Sequence, residues 1–130
     1  MDYLSQKKGF LGYDAVQKKD NKVVVVPFGL EKTVSYGGGT KNGPKEIIKA
    51  SHQVELFDED LNKEPYKDIG IKTIKPFTIK KKINDALEQL YRINKEIIKE
   101  NKFPLVLGGE HSITPASIRP FAEKFDQLTL

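Results

Sequence analysis

Unbroken apolar runs along this chain mark the strands that its pattern predicts. Val23-Val24-Val25-Val26 is a β-branched run of the kind found in strands buried on both faces, and we expect Pro27 to end it. Residues 1–20 are polar apart from a short apolar cluster at 10–13, so we expect an N-terminal arm that packs on the domain. The other predicted strands lie at 69–74, 103–107 and 127–130.

Three helices are predicted between these strands, because apolar positions recur there at intervals of three or four residues. The first is expected to follow Gly43 and the third to follow Thr114, each of these residues being a cap with a proline at the first helical position after it. The second runs from Thr78, its expected cap, to about residue 101, whereas 56–70 is predicted to be a loop with short extended pieces. The inward positions are Ile47, Ile48, Ser51 and Val54 in the first helix, Ile79, Ile83, Leu87, Leu90, Asn94, Ile97 and Ile98 in the second, and Ile118, Phe121, Ala122 and Phe125 in the third.

The alternation of strands and helices predicts an α/β domain with a mostly parallel sheet. The 130 residues correspond to one domain. The chain has no cysteine, which excludes a disulfide framework, a thiolate metal site and a cysteine nucleophile. There is no apolar run long enough for a membrane span and no signal-peptide pattern, so we expect a cytoplasmic protein without a membrane partner.

The net charge of +4 invites comparison with nucleic-acid-binding proteins, but the distribution of charge argues against that class. Only two of the 22 basic residues are arginine, and the lysines are scattered among 18 acids. Bases are read through grouped arginine, asparagine or glutamine side chains and through aromatic stacking, and no such grouping occurs here. We therefore expect no nucleic-acid partner.

The strongest chemical signal follows the strand predicted at 103–107. Gly108 and Gly109 allow a tight exit from the sheet and bring His111 out at the carboxyl end of a parallel strand, where open α/β sheets bind ligands. An imidazole there can bind a metal ion, transfer a proton or cap the next helix. Glu110 either orients the His111 ring or is an exposed acid, and Ser112 either donates to a substrate or forms a cap or a turn bond.

A glycine-rich loop after the first strand is the second signal. It carries Ser35, Tyr36 and Gly37 and can form a wall of a ligand site at the same edge as His111, or serve as a flexible connection. Its glycine spacing fits neither a Walker loop nor a dinucleotide-binding turn. The only other histidine, His52, falls off the apolar face of its helix and is expected at the surface.

Two motifs resemble signatures of the ureohydrolases, the superfamily of arginase and agmatinase. The segment 103–114, centred on Gly108-Gly109-Glu110-His111-Ser112, resembles the first metal signature of that superfamily. The segment 25–44, with Ser35-Tyr36-Gly37, is similar to the N-terminal signature of the agmatinase branch. The resemblance extends over about residues 8–130. It implies a three-layer α/β/α fold with a central parallel sheet, of which 1–130 would be roughly the N-terminal half of a single domain.

The resemblance also implies a chemistry. Members hydrolyse a guanidinium or amidine group to urea and an amine, with two Mn²⁺ ions that activate a hydroxide. His111 would be a ligand of one ion. Gly108, Gly109, Glu110 and Ser112 would support it, and Ser35, Tyr36 and Gly37 would belong to the substrate loop. The most similar activity is that of agmatinase, which makes putrescine and urea from a small guanidinium substrate. The full-length family commonly forms trimers or hexamers.

The family's remaining ligands lie in the motifs D-A-H-x-D and S-x-D-x-D-x-x-D-P, and neither occurs in this sequence. One imidazole cannot hold two manganese ions, so we expect the 130-residue chain to be inactive by itself. The alternatives are a shortened relative that acts as an interaction domain and a small-ligand or nucleotide-binding domain that uses the glycine loop.

Overall fold

The computed structural model describes residues 1–14 and 20–129, so the predicted strand residue Leu130 lies outside the described residues. Three parallel strands form one sheet in the order β2-β1-β3. Short 3-10 helices precede or follow the main elements at Gln6–Lys8, Thr40–Asn42 and His111–Ile113. The strands are β1 (Val23–Phe28), β2 (Ile71–Thr73) and β3 (Phe103–Gly108), and the helices are α1 (Gly43–Ser51), α2 (Pro65–Ile69), α3 (Ile83–Lys99) and α4 (Thr114–Ala122).

The central strand β1 continues through Pro27, so the expectation that this proline ends the strand is wrong. The backbone groups of Val23 and Val25 form their hydrogen bonds on the β2 side of the strand. Because these groups alternate along a strand, those of Pro27 face the β2 side as well. Because β2 has ended at Thr73, no neighbouring strand among the described residues requires the N–H that proline lacks. Pairing with β3 continues on the opposite side, where Pro27 is in register with Leu107.

The predicted N-terminal arm packs on the sheet as expected within residues 1–14. Tyr3 forms an antiparallel bridge with Ile74, directly after β2. Further along the arm, Phe10 donates its N–H to Thr73 Oγ1 at 2.8 Å, and the buried Tyr13 donates its hydroxyl to the carbonyl of Ile71 at 2.8 Å. The arm therefore covers the outer edge of β2.

The helices α3 and α4 pack together over one face of the sheet. Alternate residues of β1 point into this layer, and α1 lies against the opposite face with the N-terminal arm, which gives the predicted α/β/α arrangement. The members of the core on the α3–α4 face are Val24, Val26, Phe28, Leu30, Ile74, Ala86, Leu90, Tyr91, Ile97, Ile113 and Ala116.

The helix boundaries differ from the prediction where local contacts compete with periodicity. Thr78 does not cap α3: the helix begins at Ile83, because the Gln89 amide bonds the carbonyl of Thr78 and the N–H of Lys80 and holds that segment against the helix. Gly43 and Thr114 are the first residues of α1 and α4 rather than caps. The region predicted to be loop at 56–70 contains α2, which begins at Pro65.

Some predicted inward positions are exposed. Ile47 and Val54 lie largely in solvent, whereas Ile48 and Ser51 turn inward from α1. At the end of α4, Ala122 and Phe125 are also exposed, and Ala116 and Pro120 are buried in their place, because the helix meets α3 along that face.

The strand β3 is less buried than the sequence predicts. Phe103 is exposed and the residues from Leu105 onward are half-buried, because β3 is the edge strand among the described residues. Residues 127–129 are irregular and exposed, so the prediction of a fourth strand is wrong for these residues. None of the helices in the described ranges 1–14 and 20–129 is long and apolar enough to cross a membrane.

Candidate active site

The candidate site lies where β1 and β3 end, at the carboxyl edge of the sheet. From β1 the chain passes to α1 on one face, and from β3 it passes to α4 on the other face. The two adjacent strands are therefore followed by connections that diverge, which opens a crevice at the edge of the sheet. Such a topological switch point is where open α/β sheets bind their ligands.

Two glycines bring the chain out of β3 into this crevice. A Cβ atom on Gly109 would lie 2.1 Å from the carbonyl oxygen of Leu30, so only glycine allows the two backbones to approach so closely. The approach is used by two backbone hydrogen bonds, from Gly109 N to Phe28 O at 3.4 Å and from Glu110 N to Leu30 O at 2.9 Å. The loops after β1 and β3 are thereby joined.

Glu110 is buried, which contradicts its interpretation as an exposed acid. Its carboxylate accepts hydrogen bonds from Lys32 N at 2.6 Å, from Thr33 N and Oγ1 at 2.7 Å each, and from Ser112 Oγ at 2.6 Å. Burial alone raises the pKa of the carboxyl, but the bonds from Ser112, Thr33 and Lys32 outweigh it and lower the pKa to about 2. Glu110 is therefore ionised and holds the loop after β1 instead of the His111 ring.

A second acid, Glu31, closes the same loop on itself. Its carboxylate accepts hydrogen bonds from Gly39 N at 2.6 Å and from Lys41 N at 3.1 Å, and the Lys41 ammonium lies 3.8 Å away. The hydrogen bond from the Lys41 backbone is the largest of the influences that lower the pKa of Glu31. We call residues 31–41 the clamped loop, because Glu31 and Glu110 fix it at both ends.

His111 begins the 3-10 helix that follows Glu110 and is exposed. It borders an open recess of about 330 Å³ whose wall includes Gly109, Ile113 and Ser117. Ser112 donates its hydroxyl to the Glu110 carboxylate, which is a side-chain contact and not the predicted turn bond to the backbone. The imidazole thus stands beside this recess, directly after the carboxyl end of β3, where a ligand can reach it.

The structure brings the predicted site residues together in part. Gly108, Gly109, Glu110, His111 and Ser112 form one continuous turn at the crevice. Ser35, Tyr36 and Gly37 lie in the exposed part of the clamped loop and line no part of the recess. His52 is exposed as predicted, and its Nε2 atom lies 2.8 Å from the carbonyl oxygen of Gly9 in the N-terminal arm.

Sequence reasoning misses Glu31 and Thr33, which determine the shape of the clamped loop. An acid at the start of a glycine-rich loop is a weak signal that backbone N–H groups need an acceptor. The sequence alone does not indicate that a second acid, Glu110, reaches the same loop from 77 residues away.

Comparison with known proteins identifies this architecture. The sequence model of the arginase family matches residues 21–130, which include the clamped loop and the turn at His111. The chain belongs to the arginase family. It spans about 40% of the length of the curated relatives it matches.

Individual members of the arginase family are similar to this chain in sequence or in structure. The N(1)-aminopropylagmatine ureohydrolase of a Synechocystis strain is 35% identical over 123 residues, covering 90% of this chain and 40% of the relative. The agmatinase of Bacillus cereus is 29% identical over 86% of this chain and 39% of its own length. A crystal structure of a hypothetical agmatinase from Burkholderia thailandensis has a TM-score of 0.76 at 21% identity over 91% of this chain and 39% of that chain, which shows the shared fold.

Proposed function

We propose that this chain is the N-terminal part of a manganese-dependent ureohydrolase that hydrolyses agmatine to putrescine and urea. The observation that carries the proposal is the position of His111, exposed at the switch-point crevice of an arginase-family chain. The names of similar proteins, agmatinase and N(1)-aminopropylagmatine ureohydrolase, support a small guanidinium compound with a cationic tail as the substrate.

The residues at the crevice fit the expected manganese site in part. The imidazole of His111 is accessible and is a suitable nitrogen ligand. Glu110 is not available as a ligand, because four donors already occupy its carboxylate. Within 1–14 and 20–129, no group of three histidine, aspartate or glutamate side chains could hold a metal ion. Two ions would therefore require further ligands that these residues do not supply.

When bound, two such ions would supply a nucleophilic hydroxide at neutral pH. The chain's own contribution is positional. Gly109 lets the loops after β1 and β3 approach each other, and ionised Glu110 fixes the clamped loop beside His111. The described residues therefore build one wall of the crevice and contribute one ligand to it.

The 130-residue chain is accordingly proposed to be inactive by itself, because a single imidazole does not retain two manganese ions. We propose that the complete protein assembles as a homo-oligomer in the cytoplasm. Sedimentation of the complete protein and its distribution after cell fractionation would test these two points.

The decisive experiment begins with the gene sequence beyond codon 130. The product of the complete reading frame is then assayed for urea release with agmatine and Mn²⁺, next to the chain 1–130. The variant His111→Asn should lose most of the activity and bind less manganese at equilibrium dialysis. The matched control His52→Asn changes the other histidine, which lies on α1's side of the fold, and should retain both.

Two results would contradict this proposal. Steady urea release by the chain 1–130 would show that the activity does not require metal ligands from outside these residues. Full activity and manganese binding in the His111→Asn variant would remove the histidine from the metal site.

A further inference from the structure

Residues 56–61 combine exposed apolar side chains with negative charge, and we call them the acidic segment. The side chains of Phe57 and Leu61 are 52% and 57% exposed, although burial of such side chains ordinarily stabilises a fold. The residues between them are three acids, Asp58, Glu59 and Asp60. Within residues 1–14 and 20–129, none of these acids forms an ion pair.

The backbone of the acidic segment is fixed by its own hydrogen bonds. Asp58 and Lys63 form an antiparallel bridge with two backbone hydrogen bonds of 2.8 and 3.2 Å, and Asp58 Oδ1 accepts the N–H of Leu61 at 2.8 Å. Phe57 lies near Ile71, the first residue of β2, so the segment is at the amino end of that strand. A surface that is ordered in advance loses less conformational entropy when it binds a partner.

A surface of opposite charge lies at the other end of β2. There an open recess of about 910 Å³ separates the residues after β2 from α3, and we call it the α3 recess. Its apolar wall consists of Met1, Ile74, Pro76, Phe77 and Ile93. A recess of this volume is large enough to take in an apolar side chain of a partner.

The charge at the α3 recess is positive on balance. Its wall carries ionisable side chains of both signs, three of each, namely Asp2, Lys75, Lys80, Asp85, Glu88 and Arg92. Glu88 is already bound by Arg92 at 2.9 Å and by Arg119 at 3.1 Å. Lys80 begins the exposed run Lys80–Lys82, whose lysines form no ion pair with any residue that the structure describes. These lysines therefore leave an excess of positive charge beside the recess.

The acidic segment and the α3 recess complement each other. An exposed aromatic ring, Phe57, matches an apolar recess, and the three acids beside the ring match the three lysines Lys80–Lys82. The two surfaces lie at opposite ends of β2, so one copy of the chain cannot bring them together. Two copies can do so.

We propose that copies of this chain associate head to tail, with Phe57 of one copy in the α3 recess of the next and the three acids against Lys80–Lys82. The inference deepens the homo-oligomer of the proposed function and rests on that assembly. Burial of the aromatic ring supplies affinity, and the opposite charges determine the register of the two copies. Because the contact joins two different surfaces, it repeats around a closed ring or along an open chain of copies.

Charge reversal in the complete protein tests this contact. The double variants Glu59→Lys with Asp60→Lys and Lys80→Glu with Lys81→Glu each bring like charges together. Each should raise the protein concentration at which half of the assembly dissociates by about tenfold or more. A variant with all four substitutions has opposite charges at every contact again and should assemble as the wild type does. Analytical ultracentrifugation over a range of concentrations measures the assembly.

Two further variants separate this contact from a general effect of charge. Lys45→Glu with Lys49→Glu reverses two exposed lysines of α1 and should leave the assembly unchanged. Phe57→Ser removes the ring without a change in charge and should weaken the assembly. Circular dichroism of every variant establishes that the fold is intact.

Several results would overturn the inference. These are a monomeric wild type, an assembly that neither charge reversal weakens, and a variant with all four substitutions that assembles no better than the double variants. If the reversals lower the free energy of unfolding and leave the assembly intact, another part of the same polypeptide covers these surfaces, which overturns the inference as well.

Urea release from agmatine is measured in parallel, so that the two proposals can fail separately. A wild type that releases no urea but assembles through this contact contradicts the proposed reaction alone. An active wild type that assembles through a different surface contradicts the inference alone.

Discussion

Glu110 accepts hydrogen bonds from four donors while it is buried, so its replacement tests the clamped loop at the scale of one residue. In the complete protein, Glu110→Gln should lower the free energy of unfolding by about 1.5–3 kcal/mol near neutral pH, because the bonds to a charged acceptor are lost. Chemical denaturation of wild type and variant measures the difference. The control Glu55→Gln changes an exposed acid and should have little effect.

The difference in the free energy of unfolding between wild type and Glu110→Gln should decrease as the pH is lowered. The pKa of Glu110 is about 2 in the folded chain, against an ordinary value of 4.5. The stabilisation is therefore complete above pH 4.5 and is lost as the pH falls toward 2, where the folded carboxylate is protonated too. Wild type and Glu110→Gln should converge over that range, and a difference that stayed constant down to pH 2.5 would contradict the ionised state.

At the scale of one element, α3 places an amide in the middle of its buried stripe. Asn94 is completely buried, its Nδ2 lies 3.4 Å from the carbonyl of Ser117 in α4, and its Oδ1 has no partner among the described residues. Asn94→Leu should raise the free energy of unfolding of the complete protein by about 1 kcal/mol, because it removes an unpaired buried acceptor at similar volume. Asn94→Asp should lower it, and a destabilised Asn94→Leu variant would contradict this interpretation.

Elements are predictable from this sequence where one physical signal dominates. The valine run predicts β1, and the helical spacing of six apolar residues predicts most of α3. The predicted ends of elements are wrong where a contact with a residue elsewhere in the chain determines them. Pro27 is tolerated because β2 is short, and α3 begins late because Gln89 holds the preceding segment. The crevice at His111 follows from the glycines after a buried strand, but the role of Glu110 depends on a loop 77 residues away.

At the scale of the whole molecule, the outer edge of β3 is the feature that governs the behaviour of the isolated chain. Phe103 and Gly109 donate their N–H groups toward β1, so alternation directs the N–H of Val106 away from the sheet. An edge that no strand within residues 1–14 and 20–129 covers is able to pair with other chains. The chain 1–130 should therefore be marginally stable and prone to aggregate, as light scattering would measure.

A proline provides the matched test of that edge. Val106→Pro removes the outward N–H and should reduce aggregation of the chain 1–130, and Pro104 already occupies the same side of the strand. Leu105→Pro would remove an inward donor and should unfold the sheet. If the wild-type chain 1–130 is monodisperse and melts cooperatively, the outer edge of β3 does not cause aggregation.

The sheet order β2-β1-β3 also has a consequence for synthesis on the ribosome. The central strand β1 is made first, yet the partners of Val23 are Ile71 on one side and Phe103 on the other. The most apolar run of the nascent chain therefore has no partner until β2 has been translated and lacks its second partner until β3 has been translated. During that interval Val23–Phe28 is the apolar segment to which we expect a chaperone to bind.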